Sequence, residues 1–163
     1  MDARETLDAL MRQHGSRLLR LCAMNLRDAS LAQDAVQDTF LKAFRQFHRF
    51  RGDADALTWL TAIAINVCRD YRRTAWFRHV DRRMDDLPEQ AANFPFQDNT
   101  VITEVMNLPD KYREVILLRY YQDMKQKEVA AALGLTERAV RQRLHKANAI
   151  LRERLKEWYE DEG

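Results

Sequence analysis

Residues 125–147 read KQKEVAAALGLTERAVRQRLHKA. The stretch divides into two short helical patterns on either side of Gly134. The first pattern places three apolar residues on one face: Val129, Ala130 and Leu133. Gly134 can supply the left-handed residue that ends this helix, and Leu135 can fill the corner. Thr136 can then cap the following helix through its hydroxyl. The stretch therefore predicts a helix-turn-helix.

The second helix of this motif has the composition of a DNA-recognition helix. Ala139, Val140 and Leu144 form its apolar face, and its polar face carries Arg138, Arg141, Gln142, His145 and Lys146. Arg can bind guanine through two hydrogen bonds, Gln can pair with adenine, and Arg or Lys can neutralise phosphate. We therefore interpret these five residues as DNA contacts. The alternatives are an ordinary helical hairpin with a basic face and, for His145, a plain surface residue.

The composition of the whole chain favours helix. Among 163 residues there are 4 Gly and 3 Pro, with 46% hydrophobic and 32% charged residues, as in a soluble globular protein. No apolar run approaches the roughly 20 residues of a membrane span, and residues 1–13 lack the apolar core of a signal peptide. Cys22 and Cys68 are interpreted as small buried hydrophobic residues. We expect a cytoplasmic protein with reduced thiols.

Three further amphipathic helices are predicted before residue 84. Their apolar positions recur with the helical period. In the first helix these are Leu7, Leu10, Met11, Leu18, Leu19, Leu21, Cys22 and Leu26; in the second, Ala32, Val36, Phe40, Ala43, Phe44 and Phe47; in the third, Leu57, Leu60, Ala64, Val67, Cys68 and Tyr71. Asp28 or Ser30 can cap the second helix. Three such helices can share one core without a metal or a disulfide.

Residues 84–100 differ from the helical segments on either side. They contain two of the three prolines, four acidic residues and no basic residue. This composition predicts an extended linker. Helices are predicted again from Val101, with Asp110 as an N-cap. The expected fold is all-α, with two small helical domains, 1–83 and 101–163, joined by a flexible acidic linker over 84–100.

Basic side chains cluster in two places, although the net charge of the chain is only +2. Residues 69–83 hold six arginines against two aspartates, and residues 138–146 hold four basic residues and no acidic one. Two such stretches are typical of a protein that contacts a polyanion twice. The alternative is a pair of solvated helix faces.

Two long segments together resemble one protein family. DAVQDTFLKAFRQFHRFRGDADALTWLTAIAINVCRDYRR, residues 34–73, resembles region 2 of the bacterial extracytoplasmic-function (ECF) sigma factors in the sigma-70 family. LPDKYREVILLRYYQDMKQKEVAAALGLTERAVRQRLHKANAILRERL, residues 108–155, resembles region 4. A helix-turn-helix alone is a weak sign of this family, but the two segments in this order are a strong one. The resemblance implies a non-enzymatic subunit that brings RNA polymerase to promoters.

The resemblance implies a polymerase-binding face on the second helix. The positions are Asp34, Gln37, Asp38 and Leu41. In the family this region docks on the clamp helices of the largest polymerase subunit. The spacing i, i+3, i+4 and i+7 places all four residues on one side of a helix, which we expect to be exposed.

The resemblance also implies that the first domain melts and reads the promoter −10 element. The matching positions are Phe50, Arg51, Asn66, Arg69, Asp70 and Arg73. The amide of Asn66 both donates and accepts hydrogen bonds, which suits base reading, although the residue could simply face solvent. Trp59 could stack on a base, but we expect it to pack in the core.

The second domain would bind the −35 element through the five residues of the recognition helix. Here the sequence departs from the usual family pattern. Arg138 and Ala139 stand where a small residue and Thr are usual, and Gln142 stands where Ser is usual. The −35 preference is therefore open. In the family, the linker threads toward the polymerase active centre.

The resemblance implies several partners. They are core RNA polymerase, including its flap, promoter DNA, and an anti-sigma factor, which in this family is often membrane-anchored. We expect no cofactor, no metal and no small-molecule substrate.

Two other classes of function compete with this interpretation. A DNA-binding regulator would explain the helix-turn-helix but neither the DAVQDTFLKAF face nor the second arginine-rich stretch. An enzyme is disfavoured because the sequence has no HExxH, no Gly-rich phosphate loop, no nucleophile elbow and no metal-spaced Cys/His cluster. A repressor should bind promoter duplex unaided, whereas a sigma factor usually needs core polymerase to bind tightly.

Overall fold

A computed structural model describes residues 2–50, 55–74 and 99–162, with the backbone alone at 99, 100 and 157–162. The chain separates into two compact units, Met1–Pro88 and Glu89–Gly163. All regular elements in the described ranges are helical, as predicted. None of these helices combines the length and the apolar character needed to cross a membrane.

The first unit contains three α-helices. They are α1 (Ala3–Leu26), α2 (Ala29–Arg45) and α3 (Ala56–Arg72), with a 3-10 turn, Phe47–Arg49, after α2. Arg27 ends α1 in the left-handed conformation, with φ 57°. Asp28 caps α2, because its carboxylate accepts a hydrogen bond of 2.9 Å from the Leu31 amide. Of the two predicted caps, the chain uses Asp28 rather than Ser30.

The core of the first unit lies between these helices. Cys22 and Cys68 are fully buried within it, and a hydrogen bond with Cys68, together with burial, raises the pKa of the Cys22 thiol. Two residues predicted for the core are instead exposed, Met11 by 44% and Phe44 by 53%. Ala43 holds the buried position on α2, and the next residue is turned by about 100° toward solvent.

Three consecutive residues near the end of α3 tie it to the other two helices. The contacts are Asp70 with Lys42 (3.5 Å), Tyr71 with Asp38 (2.7 Å) and Arg72 with Asn25 (2.7 Å). The first two join α3 to α2, and the third joins it to α1. These contacts fix the position of the end of α3, where the basic stretch begins.

The second unit contains four α-helices in its described part. They are α4 (Asn99–Met106), α5 (Asp110–Ile116), α6 (Gln126–Leu133) and α7 (Glu137–Glu162). A π-helical turn, Leu117–Tyr121, continues α5. The long α7 packs against α4, α5 and α6. The first two residues of α4 belong to the predicted linker, and residues 84–98 of that linker lie outside the described residues.

A buried arginine fixes the corner between α4 and α5. Arg113 is 6% exposed and donates hydrogen bonds to the carbonyls of Met106 (3.3 Å) and Leu108 (2.9 Å). It also pairs with the carboxylate of Asp110. The prediction of Asp110 as an N-cap was wrong. Asp110 is the first helical residue, after Pro109, and its carboxylate is held by the arginine one turn on.

The helix-turn-helix forms as predicted. Gly134 ends α6 in the left-handed conformation, with φ 68°. The Thr136 hydroxyl caps α7 by accepting a hydrogen bond of 3.1 Å from the Ala139 amide. The residues that pack the two helices together are buried: Val129, Ala130, Leu133, Val140 and Leu144.

Replacing the buried arginine tests its role at the corner. Arg113→Met should lower the free energy of unfolding of the second unit by about 3 kcal/mol, because two buried carbonyls lose their donor. Urea denaturation followed by circular dichroism measures the change. Arg138→Met, at an exposed position of the same unit, should change stability by less than about 0.5 kcal/mol. Equal effects of the two substitutions would contradict the assignment.

Candidate nucleic-acid and polymerase interface

The five predicted −35 residues share one exposed face of α7. All of them are exposed: Arg138, Arg141, Gln142, His145 and Lys146. At 3.6 residues per turn their side chains fall within an arc of roughly 140°. Val140, Leu144 and Ala147 lie on the opposite side and are buried. The turn at Gly134 and the cap at Thr136 set where this face begins. The helix therefore presents a row of hydrogen-bond donors and positive charge next to its own N-terminus.

The predicted −10 residues on α3 lie along a second stripe. Asn66, Asp70 and Arg73 are exposed, and Arg69 is half-buried. Their spacing of three and four residues places them on one side of the helix. Arg51, the loop residue predicted to act with them, lies outside the described residues, as do Arg78, Arg82 and Arg83 of the basic stretch.

An aromatic pair continues this stripe. The ring of Phe50 stacks on Trp59, with centroids 4.7 Å apart and planes at 27°. Phe47 contacts the same indole edge-on at 6.5 Å. Trp59 lies seven residues before Asn66, about 10 Å along the same side of α3. It packs against the core but is only half-buried. The predicted packing of Trp59 against the core is thus only partial, and its stacking on Phe50 was not predicted. The spacing of Trp59 from Asn66 was the available signal that the two residues share a side of α3.

Asp70 is engaged by two cations. Its carboxylate pairs with Arg73, the residue that directly follows α3, at 3.0 Å and with Lys42 of α2 at 3.5 Å. The three side chains are 53%, 72% and 41% exposed in the order Asp70, Arg73 and Lys42, so the pairs add little stability. Their effect is geometric. The carboxylate gathers two positive charges at the end of the α3 stripe.

The predicted polymerase-binding residues occupy the outer side of α2. Asp34, Gln37 and Leu41 are exposed, with Leu41 at 55%. Asp38 departs from the prediction that the whole face is exposed. It is half-buried, because its Oδ2 atom accepts a hydrogen bond of 2.7 Å from the Tyr71 hydroxyl. The predicted polymerase-binding face therefore consists of three exposed side chains and the Asp38 carboxylate, which is hydrogen-bonded to α3.

An apolar groove lies beside this face, between α1 and α2. Its volume is about 560 Å³, and the exposed side chains of Met11, Leu41 and Phe44 line it. Exposed apolar side chains this close together are typical of a surface that binds another protein. Met11 and Phe44 were predicted for the core, so the sequence pattern did not reveal the groove. Which apolar residues stay exposed depends on how each helix is rotated about its own axis in the packed unit, and sequence periodicity does not give this rotation.

Metal binding has no support in the described residues, where no three His, Cys, Asp or Glu side chains cluster as metal ligands.

Comparison with known proteins identifies the family. The sigma-70 region 2 model matches residues 10–78, and the sigma-70, region 4 model matches residues 99–149. SigL, an ECF RNA polymerase sigma factor of Mycobacterium tuberculosis, is 34% identical over 159 residues, which cover 91% of this chain and 88% of SigL. The chain belongs to the ECF sigma factors of the sigma-70 family. As a sigma factor, it binds core RNA polymerase and directs transcription initiation at promoters.

Two solved structures share the fold of this sigma factor. CnrH, determined in complex with the cytosolic domain of CnrY, is 29% identical with a TM-score of 0.71, over 94% of this chain and 89% of CnrH. The sigma factor RpoE of Bartonella quintana, determined in complex with the anti-sigma factor NepR, is 24% identical with a TM-score of 0.69, over 91% of this chain and 97% of RpoE. The region 2 match spans α2 and α3, and the region 4 match spans the helix-turn-helix.

Proposed function

We propose that the two units divide the work of promoter recognition. Residues 1–83 bind core polymerase and the −10 element, residues 84–100 connect the units, and residues 101–163 bind the −35 element. The observation that carries this proposal is the set of three exposed polar faces, on α2, α3 and α7, that the two cores leave uncovered. Each face bears the residue types that its partner requires.

Core polymerase would bind the outer side of α2. Asp34 supplies a negative charge and Gln37 an amide, while Leu41 and the neighbouring groove supply apolar area. This combination, apolar anchors beside a few charged groups, is typical of protein–protein interfaces. The groove residues Met11 and Phe44 extend the surface beyond the four residues predicted from sequence.

Charge reversal on α2 tests the polymerase contact. Asp34→Lys should weaken binding to core polymerase at least about tenfold, or 1.4 kcal/mol, if a complementary charge faces it. Titration of fluorescently labelled protein with core polymerase measures the affinity. Glu153→Lys makes the same change of net charge on the exposed side of α7 and should leave the affinity unchanged. If both variants bind core as the wild type does, the α2 assignment fails.

The −10 element would be melted and held along α3. The Phe50–Trp59 stack offers an aromatic surface for an unpaired base, and Asn66 offers a donor and an acceptor about two turns further along α3. Arg69 and Arg73 provide positive charge for the backbone of the separated strand. Asp70, as an anion, is better suited to orienting Arg73 than to touching DNA.

Removing the Asn66 amide tests base reading. Asn66→Ala should leave binding to core polymerase intact but reduce open-complex formation on duplex promoters. An unstacked base would then lose the hydrogen bonds that the Asn66 amide offers it. The defect should shrink on a template with a pre-melted −10 region, since part of the unstacking cost, a few kcal/mol, is then removed. Permanganate footprinting on both templates measures opening. Gln13→Ala, on an exposed position of α1, is the control. If Asn66→Ala opened duplex promoters as well as the wild type does, Asn66 would be a solvent-exposed residue with no base contact.

The −35 element would be read by α7 from the major groove. Arg141 and Gln142 stand near the N-terminus of the helix, where recognition helices contact base edges. Lys146 stands a turn further along and is suited to phosphate. His145 and Arg138 complete the exposed face.

Two sets of substitutions separate base contacts from phosphate contacts. The double variant Arg141→Ala/Gln142→Ala should change which −35 sequences are used, because each side chain that reads a base edge contributes about 1–3 kcal/mol of discrimination. Lys146→Ala should weaken all promoters alike. Selection of a promoter library by holoenzyme, followed by sequencing, measures both effects. Unchanged −35 preferences in the double variant would rule out base reading by these residues.

We also propose control by an anti-sigma factor, acting in the cytoplasm on a chain that catalyses no reaction of its own. The support is the family and the fold shared with a sigma factor solved with NepR. The exposed apolar side chains on α2 would suit such a partner, since a protein that covers them also blocks polymerase.

A further inference from the structure

Asp38 differs from the other residues of the α2 face. Asp34, Gln37 and Leu41 are exposed, whereas Asp38 is half-buried, and its Oδ2 atom accepts the Tyr71 hydrogen bond at 2.7 Å. An ionised carboxylate has about four lone-pair sites on its two oxygens. Oδ1 therefore retains the capacity to accept a hydrogen bond from a partner. The carboxylate can serve two elements at once.

Tyr71 is itself held in place. Its ring packs against the core of the first unit. The residue before it, Asp70, pairs with Lys42 of α2. Burial raises the pKa of Tyr71 well above its usual range, and the hydrogen bond with the Asp38 carboxylate raises it further. A tyrosine hydroxyl is already protonated at neutral pH, and here it donates its hydrogen bond to Asp38.

We propose that Tyr71 is a positioning residue for polymerase binding: its hydroxyl fixes the Asp38 carboxylate so that Oδ1 faces a cationic group on the clamp helices. An aspartate on a helix surface samples several rotamers, and binding a partner would require one of them. A hydrogen bond to a charged acceptor holds that rotamer before polymerase arrives, which removes part of the ordering cost of binding. This inference rests on the proposed contact between Asp38 and polymerase.

Tyr71 would thus act in the polymerase contact although it belongs to α3, the helix proposed to read the −10 element. Tyr71 lies one residue after Asp70 and two before Arg73, on the helix proposed to read DNA. A simpler role would be a structural tie between α2 and α3. The two roles differ in one respect: only positioning makes the effect of the Tyr71 hydroxyl depend on the charge at residue 38.

A double-mutant cycle on the full chain separates these roles. Tyr71→Phe, Asp38→Asn and the double variant are titrated with core polymerase at several salt concentrations. Tyr71→Phe should weaken binding about fivefold and Asp38→Asn by at least as much, with no further weakening in the double variant, as expected for coupled residues. The weakening in each single variant should shrink as salt rises, because a charge pair is screened.

The control variant is Arg72→Gln, which breaks the neighbouring tie to Asn25. It should bind core polymerase as the wild type does, while thermal unfolding reports how far each variant is destabilised. If Arg72→Gln weakens binding as much as Tyr71→Phe, the effect is structural and the proposal fails. It also fails if Tyr71→Phe binds normally while Asp38→Asn does not, or if the two effects multiply in the double variant. Normal binding by Asp38→Asn would instead overturn the Asp38 contact itself.

Discussion

The packing of α3 between α1 and α2 is the constraint on which the first unit depends. Nine of its seventeen residues are buried. Packing on two sides leaves one narrow stripe in solvent, and Asn66, Asp70 and Arg73 occupy it. The residues proposed to read DNA thus occupy positions that do not pack in the core. The polar ties at the end of the helix then hold this stripe in a fixed relation to the exposed side of α2.

In the second unit, one long helix, α7, has both a buried side and an exposed polar side. α7 buries one side against the other three helices, and its polar side begins at the turn formed by Gly134. Arg113 sets the corner between α4 and α5, far along the chain from the recognition face. The residues that stabilise this unit therefore differ from those proposed to read DNA. Variants on the exposed face of α7 should change promoter choice with little change in folding.

The helices were predictable from the sequence because amphipathic periodicity is a local signal. The helix-turn-helix followed from the apolar positions of its two helices together with Gly134 and Thr136. Three features depended on contacts between helices and were not predictable from periodicity. Phe44 lies just outside the buried arc of α2, Trp59 stacks on Phe50, and the Asp38 carboxylate accepts a hydrogen bond from a tyrosine 33 residues away. The residue assignments for −10 reading came from family resemblance, since an exposed asparagine on a helix has no distinctive pattern.

Site-specific photo-crosslinking in the open promoter complex tests whether α2, α3 and α7 contact polymerase, the −10 element and the −35 element respectively. A photoreactive amino acid is placed at Gln37, Asn66 or Gln142, one exposed position on each face. We expect position 37 to crosslink to the largest polymerase subunit, position 66 to the −10 non-template strand, and position 142 to the −35 duplex. Crosslinking of position 37 to DNA, or of position 66 or 142 to polymerase alone, would contradict the division of roles among α2, α3 and α7.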